Sequence, residues 1–265
     1  MVYSVLGRKI PVNNGRSNRG GSNMNQNHLN TSLKDKVLQS LGFPEGGFEG
    51  KIRLLSPSEN SIRLDILLFM AEGKIVNIND LTATEEQIDV QSALQRLREL
   101  DLIHWDQNSG DVTVAYPFSG VPTPHRVTLA EMSPAYSMCA IDALGIPSMF
   151  TDAVIESECA FCGEKITIDV KNNMPVANPD TVVVGLGTTD AADTNACCDS
   201  SCEPNEPKSI STSCCPAIQF YCSEEHWQKA NEKNSTTAKD KLTLAEAFEV
   251  GAAVFGGTLS GSKGK

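Results

Sequence analysis

The sequence predicts an α+β protein, in which an N-terminal winged-helix-like helical domain precedes a mixed β-sheet domain with flanking helices. Apolar residues recur at helical spacing after Ser56, short β-rich segments prevail after Phe118, and two helical segments close the chain. The 265 residues are 40% hydrophobic and 21% charged, which is a globular composition. This length suits one large domain or two small ones.

The helical part has the outline of a winged helix. Ser56-Pro57 marks a break, after which residues 60–72 carry apolar side chains at helical spacing. A short helix follows Asn79, and a capping box at Thr84–Gln87 begins a third, longer helix. Residues 102–105 and 112–115 then flank the turn signal at 107–110, as expected for a β-hairpin.

Charge argues against DNA binding by this winged-helix-like segment. The chain has 22 basic and 33 acidic residues, a formal net charge of −11. Residues 59–118 alone contain 4 basic and 11 acidic residues, for a net charge of −7. Such a segment repels a phosphate backbone, so we expect a helical module that covers the rest of the protein and no nucleic-acid partner.

The second half alternates strands and helices. We predict a helix from about Pro134 to Leu144, starting at Ser133, with Pro147 just past its end. Strands are predicted at 126–129, 153–158, 165–170, 181–187 and 217–222, and helices at 224–231 and 243–254. The predicted domains are a disordered tail (1–33), a covering domain (34–118), a β-sheet domain (119–257) with a mobile loop (188–213), and a second tail (258–265).

The nine cysteines are an odd number, which excludes a fully paired disulfide framework within one chain. The first 32 residues lack the apolar stretch of a secretory signal, and no run of about 18 apolar residues suggests a membrane span. We therefore expect a cytoplasmic protein with no membrane partner. In a reducing compartment, cysteines in such number are more often ligands, nucleophiles or core residues than disulfides.

The most informative short stretch contains Cys139 and Asp142. On the predicted helix these residues stand three positions apart, so both can point into one site. The competing interpretation is a buried structural thiol beside a capping or solvated carboxylate. A second pair of thiols, Cys214-Cys215, comes just before a predicted aromatic strand.

Three motifs in fixed order resemble the organomercurial lyase family, also called alkylmercury lyase, from about residue 60 to 256. They are Tyr136-x-x-Cys139-Ala140-x-Asp142, then Ser157-x-Cys159-Ala160, then Cys215 before the aromatic strand with Ser223-x-x-x-Trp227 after it. The resemblance implies that residues 119–257 form the catalytic domain and that the acidic winged-helix-like module covers the active site. It also implies a lyase of mercuric resistance and detoxification that needs no cofactor.

The resemblance assigns the site residue by residue. Cys139 matches the first catalytic cysteine, Asp142 the catalytic aspartate and Cys215 the second catalytic cysteine, and these three residues would hold the mercury of substrate and product. Cys159 matches a buried structural cysteine. Met138 stands where that family often has tryptophan, and the choice of Cys215 over Cys214 rests on its spacing to the aromatic strand.

The implied chemistry suits these residue types, because mercury is a soft metal and thiolates are soft ligands. Two thiolates weaken the carbon–mercury bond, and Asp142 takes a proton from a thiol and delivers it to the leaving carbon. This role predicts a poorly solvated carboxyl group with a raised pKa. The products would be a hydrocarbon and Hg(II) held by two cysteines, released to external small-molecule thiols or to a mercuric reductase.

The alternative is a thiol-rich metal-binding or metal-sensing regulatory protein with a structural zinc site. Cys159-x-x-Cys162 has the spacing of a zinc knuckle, and Cys214-Cys215 would supply the other ligands. Adjacent residues on a strand point to opposite faces, which disfavours that set. The roles of Cys222 and of the loop thiols Cys197, Cys198 and Cys202 stay open, with a soft-metal relay arm as one interpretation. The four histidines show no paired spacing and are treated as incidental.

Overall fold

The computed structural model describes residues 2–3, 9–10, 47–82, 89–130, 132–187, 209, 211, 214–233 and 240–259. Within these residues the chain combines α-helices with antiparallel sheets, which confirms the predicted α+β class. None of the helices in this part of the chain is both long and apolar enough to cross a bilayer. The predicted capping box at Thr84 and the thiols Cys197, Cys198 and Cys202 lie outside the described residues.

Seven α-helices occur in the described residues, numbered in chain order. They are α1 (Gly47–Ile52), α2 (Pro57–Ala71), α3 (Ile78–Thr82), α4 (Val90–Glu99), α5 (Ala140–Met149), α6 (Glu224–Lys233) and α7 (Leu244–Phe255). Two of them begin with a full capping box, in which a hydroxyl and a glutamate satisfy backbone N–H groups reciprocally. These boxes are Ser56 with Glu59 at α2 and Thr243 with Glu246 at α7.

An eight-stranded antiparallel sheet forms the centre of the fold, in the order β10-β9-β8-β6-β7-β5-β4-β3. Its strands are β3 (Ile103–Trp105), β4 (Val112–Ala115), β5 (Phe118–Ser119), β6 (Arg126–Leu129), β7 (Ala135–Ser137), β8 (Ala153–Glu158), β9 (Lys165–Lys171) and β10 (Met174–Asn178). A smaller sheet has the order β12-β11-β13, from β11 (Val183–Leu186), β12 (Gln219–Tyr221) and β13 (Asp240–Thr243). The two-residue strands β1 (Val2–Tyr3) and β2 (Lys9–Ile10) pair with each other.

The predicted wing hairpin is present as β3 and β4, and it continues directly into the central sheet. Strand β5 pairs with β4 on one side and with β7 on the other. The sheet therefore runs across the predicted domain boundary at residue 118. The division into a covering domain and a catalytic domain stays a prediction.

The helix predicted from Pro134 to Leu144 is wrong in its first half. Residues Ala135–Ser137 form β7, which pairs with β5 and β6, and α5 begins only at Ala140. Pro147 lies inside α5, not beyond its end. The apolar run is compatible with either structure, and the backbone hydrogen bonds offered by two neighbouring strands decide it.

Helix α5 is buried almost throughout and packs against α7 at a pair of glycines. A Cβ atom added to Gly251 would lie 2.8 Å from the carbonyl oxygen of Ile141, and one added to Gly145 would lie 2.9 Å from the carbonyl oxygen of Gly251. The two helix backbones are thus close enough to exclude any side chain at these positions. This contact fixes α5 against the C-terminal helix, with the N-terminus of α5 beside β7.

Candidate active site

Cys139 and Asp142 lie at the N-terminus of α5. Cys139 is the N-cap residue, in an extended conformation with φ −154° and ψ −179°, and its sulfur accepts the backbone N–H of Asp142 over 3.4 Å. Asp142 occupies the first turn of the helix. The two side chains come together because one residue caps the helix and the other lies in its first turn, not because both share a helix face as predicted.

Cys215 reaches this position from a short 3₁₀ turn, Cys215–Ala217, that precedes β12. The carbonyl oxygen of Ile218, the residue after this turn, accepts the backbone N–H of Ala140 over 3.2 Å. This hydrogen bond joins the first residue of α5 to the segment that carries Cys215. Two distant parts of the sequence are thereby held side by side.

The structure brings the three predicted site residues into one group. One sulfur or carboxylate oxygen from each of Cys139, Asp142 and Cys215 lies within 4.8 Å of the others. The Cys215 thiol donates to Oδ2 of Asp142 over 3.8 Å. All three residues are buried, with relative exposures of 2%, 4% and 3% respectively. Cys214 is buried as well but does not belong to this group.

Burial sets the protonation of the Asp142 carboxyl group. Loss of solvation raises the pKa of this group to about 7, and hydrogen bonds from Cys139 and Cys215 offset only part of the shift. A carboxyl group with this pKa exchanges protons readily near neutral pH. The raised pKa that the sequence analysis expected for a proton donor at this position is therefore present.

Both thiols of the group are held in the protonated form. Burial raises the pKa of Cys139 well above its usual range, and interactions with Cys215 and Asp142 raise it further. A hydrogen bond with Cys139 lowers the pKa of Cys215, but burial and the neighbouring Asp142 and Cys214 outweigh it, so that the net shift is upward. Each thiol must lose its proton before it can bind a metal as thiolate, and the Asp142 carboxylate is one group in contact with them that can accept a proton.

Sequence reasoning did not identify Tyr116 as a neighbour of the site. Burial raises the pKa of its phenol well above the usual value, with further contributions from Asp101 and Cys215. The Tyr116 hydroxyl lies 3.3 Å from Oγ of Ser209, which itself donates to Asp101 over 2.6 Å. No motif in the sequence signals this contact, because the three residues come from separate elements.

A second group of metal-ligating side chains lies outside the active-site group and includes a histidine. Ligand atoms of Cys159, Cys162, Cys222 and His226 all lie within 4.8 Å of one another. His226, which the sequence left as incidental, thus lies beside three cysteines. This group contains neither Cys214 nor Cys215, the pair that the disfavoured zinc alternative would have added to Cys159 and Cys162. The missed signal is the spacing Cys222-x₃-His226, which places the histidine in the first turn of α6.

Known proteins resemble this chain in fold and in part of its sequence. No curated protein matches the sequence significantly. Among solved structures, the mercury-bound form of MerB2 resembles this fold with a TM-score of 0.58 and 20% sequence identity, over 87% of this chain and 98% of the other. Residues 118–256, just over half of the chain, match the MerB family of alkylmercury lyases. The chain therefore belongs to the alkylmercury lyase family and is an enzyme of that class.

Proposed function

We propose that this enzyme cleaves the carbon–mercury bond of organomercurials by protonolysis, with Cys139, Asp142 and Cys215 as its catalytic residues. The observation that carries the proposal is the close, buried grouping of two thiols and one carboxyl group. Two soft sulfur ligands suit mercury, and a carboxyl group with a pKa of about 7 suits proton transfer.

In the first step the Cys139 thiol displaces the outgoing ligand X of an organomercurial R–Hg–X. A sulfur–mercury bond forms, the mercury–X bond breaks, and the thiol proton leaves as HX. We assign this step to Cys139 because its sulfur accepts the backbone N–H of Asp142, whereas the Cys215 thiol is directed at Oδ2 of the Asp142 carboxylate and is kept for the second step. The organic group R stays bound to mercury at this stage.

In the second step Asp142 accepts the proton of Cys215, and the resulting thiolate binds mercury as a further sulfur ligand. The added electron density weakens the carbon–mercury bond. The protonated Asp142 then delivers the same proton to carbon, which takes the electron pair of the breaking bond and departs as the hydrocarbon R–H. Asp142 is again an ionised carboxylate after this step, and Hg(II) is held by the thiolates of Cys139 and Cys215.

Product release requires other thiols. Two external small-molecule thiols displace Cys139 and Cys215 from Hg(II) and return a proton to each of them. A mercuric reductase is a protein that would consume this product, because its substrate is the same ion. No resident cofactor enters either step.

The test is turnover of phenylmercury with excess small-molecule thiol, in which benzene is measured by gas chromatography. The wild-type enzyme is expected to release benzene, and Cys139→Ala and Cys215→Ala to release none above background. Cys214→Ala is the matched control, since Cys214 is the buried chain neighbour of Cys215 and is expected to keep activity. Folded protein without benzene release, or loss of activity in Cys214→Ala with retention in Cys215→Ala, would overturn the assignment.

A further inference from the structure

Three thiols and one imidazole form a separate group away from the active-site group. Cys159 and Cys162 lie in the turn between β8 and β9, Cys222 follows β12, and His226 lies in the first turn of α6. One ligand atom from each residue is within 4.8 Å of the other three. Two stretches of the chain, with Cys162 and Cys222 60 residues apart in sequence, converge on this point.

The turn that carries Cys159 and Cys162 has the local structure of a metal-binding knuckle. Backbone N–H groups of Phe161 and Cys162 are directed at the Cys159 sulfur, and the N–H of Cys222 donates to the same atom over 3.4 Å. Gly163 follows with φ +74°, a conformation that closes the turn and that glycine adopts without strain. Such N–H donors stabilise a sulfur ligand in its thiolate form.

His226 completes the group from the first turn of α6. Its Nδ1 atom lies 3.5 Å from the Cys159 sulfur, and its backbone N–H donates to Oγ of Ser223 over 3.3 Å, which fixes the start of α6. Its ring also packs against Phe161, with 5.3 Å between the ring centres. The contacts with Cys159 and Phe161 therefore hold the imidazole beside the thiols.

We propose that Cys159, Cys162, Cys222 and His226 bind one structural Zn²⁺ ion. Three thiolates and one imidazole are a common tetrahedral donor set for structural zinc, and a zinc–sulfur distance of 2.3 Å implies sulfur atoms about 3.8 Å apart. The 4.8 Å limit of the group needs only small side-chain adjustments to reach that spacing. A tetrahedral set of four ligands suits Zn²⁺, whose coordination in structural sites is closed.

The ion would join the segment that carries Cys215 to the central sheet. Cys222 is seven residues beyond Cys215, and the N–H of Ala160 already donates to the carbonyl oxygen of Phe220 in β12 over 3.0 Å. Zinc would add a further connection between the β8–β9 turn and this segment, beside this hydrogen bond and the one from the Cys222 N–H to the Cys159 sulfur. The site therefore supports the position of the second active-site thiol without touching the substrate.

The experiment is elemental analysis of the full chain, purified under reducing conditions without mercury from zinc-supplemented cells. We expect about one zinc per chain in the wild type and at least a fivefold loss in Cys162→Ser. Cys162 is exposed, so its replacement leaves the core intact. Cys162→His keeps a ligand and is expected to retain zinc, and Cys139→Ser is the control for thiol loss elsewhere and is also expected to retain it.

Cobalt substitution supplies a readout of the ligands themselves. Co²⁺ added to the metal-free protein is expected to give thiolate-to-cobalt charge-transfer absorption that weakens in Cys162→Ser and in His226→Ala but not in Cys139→Ser. Absence of zinc from the wild type overturns the proposal. Retention of zinc in Cys162→Ser and His226→Ala, with its loss in Cys139→Ser, also overturns it, since the ion would then belong to the active-site group.

Discussion

The sulfur of Cys139 accepts the backbone N–H of Asp142 over 3.4 Å, so the first cysteine of the site also caps the helix that carries the aspartate. Serine and threonine usually fill this role. Here a thiol takes it, and the start of α5 fixes both side chains at once. The relation also places a carboxyl group in a buried helix terminus, where its charge is costly to form.

Replacing that carboxyl group is expected to stabilise the protein. Asp142 has a pKa of about 7 in the folded state, against an ordinary value of 3.8. At pH values between these two, the Asp142 carboxyl group is ionised in the unfolded chain but protonated in the folded protein. Its contribution to the free energy of unfolding therefore falls as the pH rises from about 4 to about 7, and it stays low above pH 7. A shift of about three units corresponds to about 4 kcal/mol. Asp142→Asn should therefore unfold at higher urea concentration at pH 8, while losing activity.

The pH dependence separates the cost of the buried Asp142 charge from any pH-independent change in stability caused by the substitution. The stability difference between Asp142→Asn and the wild type is expected to be small at pH 4 and largest above pH 7. Asp169→Asn is the control, since that carboxylate is exposed on β9 and its replacement should change stability little at any pH. A wild type more stable than Asp142→Asn at pH 8 would contradict a costly buried charge.

The same carboxyl group is expected to control the pH profile of the reaction. The proposed mechanism needs an ionised Asp142 in the free enzyme, because it must accept the proton of Cys215. We therefore expect kcat/KM to rise about tenfold per pH unit below pH 7 and to level off above, with an apparent pKa of about 7. Single-turnover rates without added thiol avoid the titration of external thiols. A flat profile between pH 5.5 and 8 would argue against Asp142 as the proton acceptor.

Local signals in the sequence were enough to predict most of the fold. Helices α2 and α4 and strands β8 and β9 have clear periodicity. The predicted start of α4 was wrong, because α4 begins at Val90 with Asp89 as its N-cap and not at Thr84. Strands β10 and β13 were not predicted. Strand β10 leaves Met174 and Val176 exposed, so its pattern lacks the buried alternation that marks a strand, and only pairing with β9 defines it.

The site was predictable to the extent that its residues are close in sequence. Cys139 and Asp142 stand three residues apart, whereas Cys215 was chosen from the family resemblance. Cys222 and His226 were missed as partners of Cys159 because their contact depends on how β12 turns into α6. The pattern of residues within a short stretch of sequence carries no information about contacts between residues more than 60 positions apart.

The buried His125 is expected to destabilise the protein in acid. Burial lowers the pKa of its imidazole to about 4, from 6.5, and its Nδ1 atom lies 2.9 Å from Oγ of Ser157. As the pH falls, the imidazole takes up a proton in the unfolded chain before it does so in the folded protein. The stability that the protein has above pH 6.5 is therefore partly lost as the pH falls towards 4. The shift of about 2.5 units corresponds to about 3 kcal/mol.

On acidification the loss of stability from His125 and the gain from Asp142 have opposite signs, so they partly cancel in the wild type. The difference between a single variant and the wild type isolates each effect. On acidification from pH 7 to pH 4, the variant His125→Asn is expected to gain stability relative to the wild type, and Asp142→Asn to lose it. Urea unfolding at several pH values measures both differences. Parallel curves for His125→Asn and the wild type would show that His125 does not resist protonation.

The contact between Gly145 and Gly251 is expected to be essential for the position of α5. A Cβ atom at Gly145 would overlap the ring of Phe255 and lie 2.9 Å from the carbonyl oxygen of Gly251, so one of the helices must move. Such overpacking typically costs about 1–3 kcal/mol. Because the N-terminus of α5 carries Cys139 and Asp142, we expect Gly145→Ala to lower both the unfolding midpoint and benzene release from phenylmercury.

Activity measured well below the unfolding temperature separates a displaced site from simple unfolding. Gly251→Ala should have the same two effects, because its added carbon would meet the backbone of α5 at 2.8 Å. Glu249→Ala is the control on the exposed side of α7 and should leave both quantities unchanged. If both alanine variants kept wild-type stability and turnover, then α5 and α7 would have room to adjust, and the close approach of their backbones would not be what holds the cysteine and the aspartate in place.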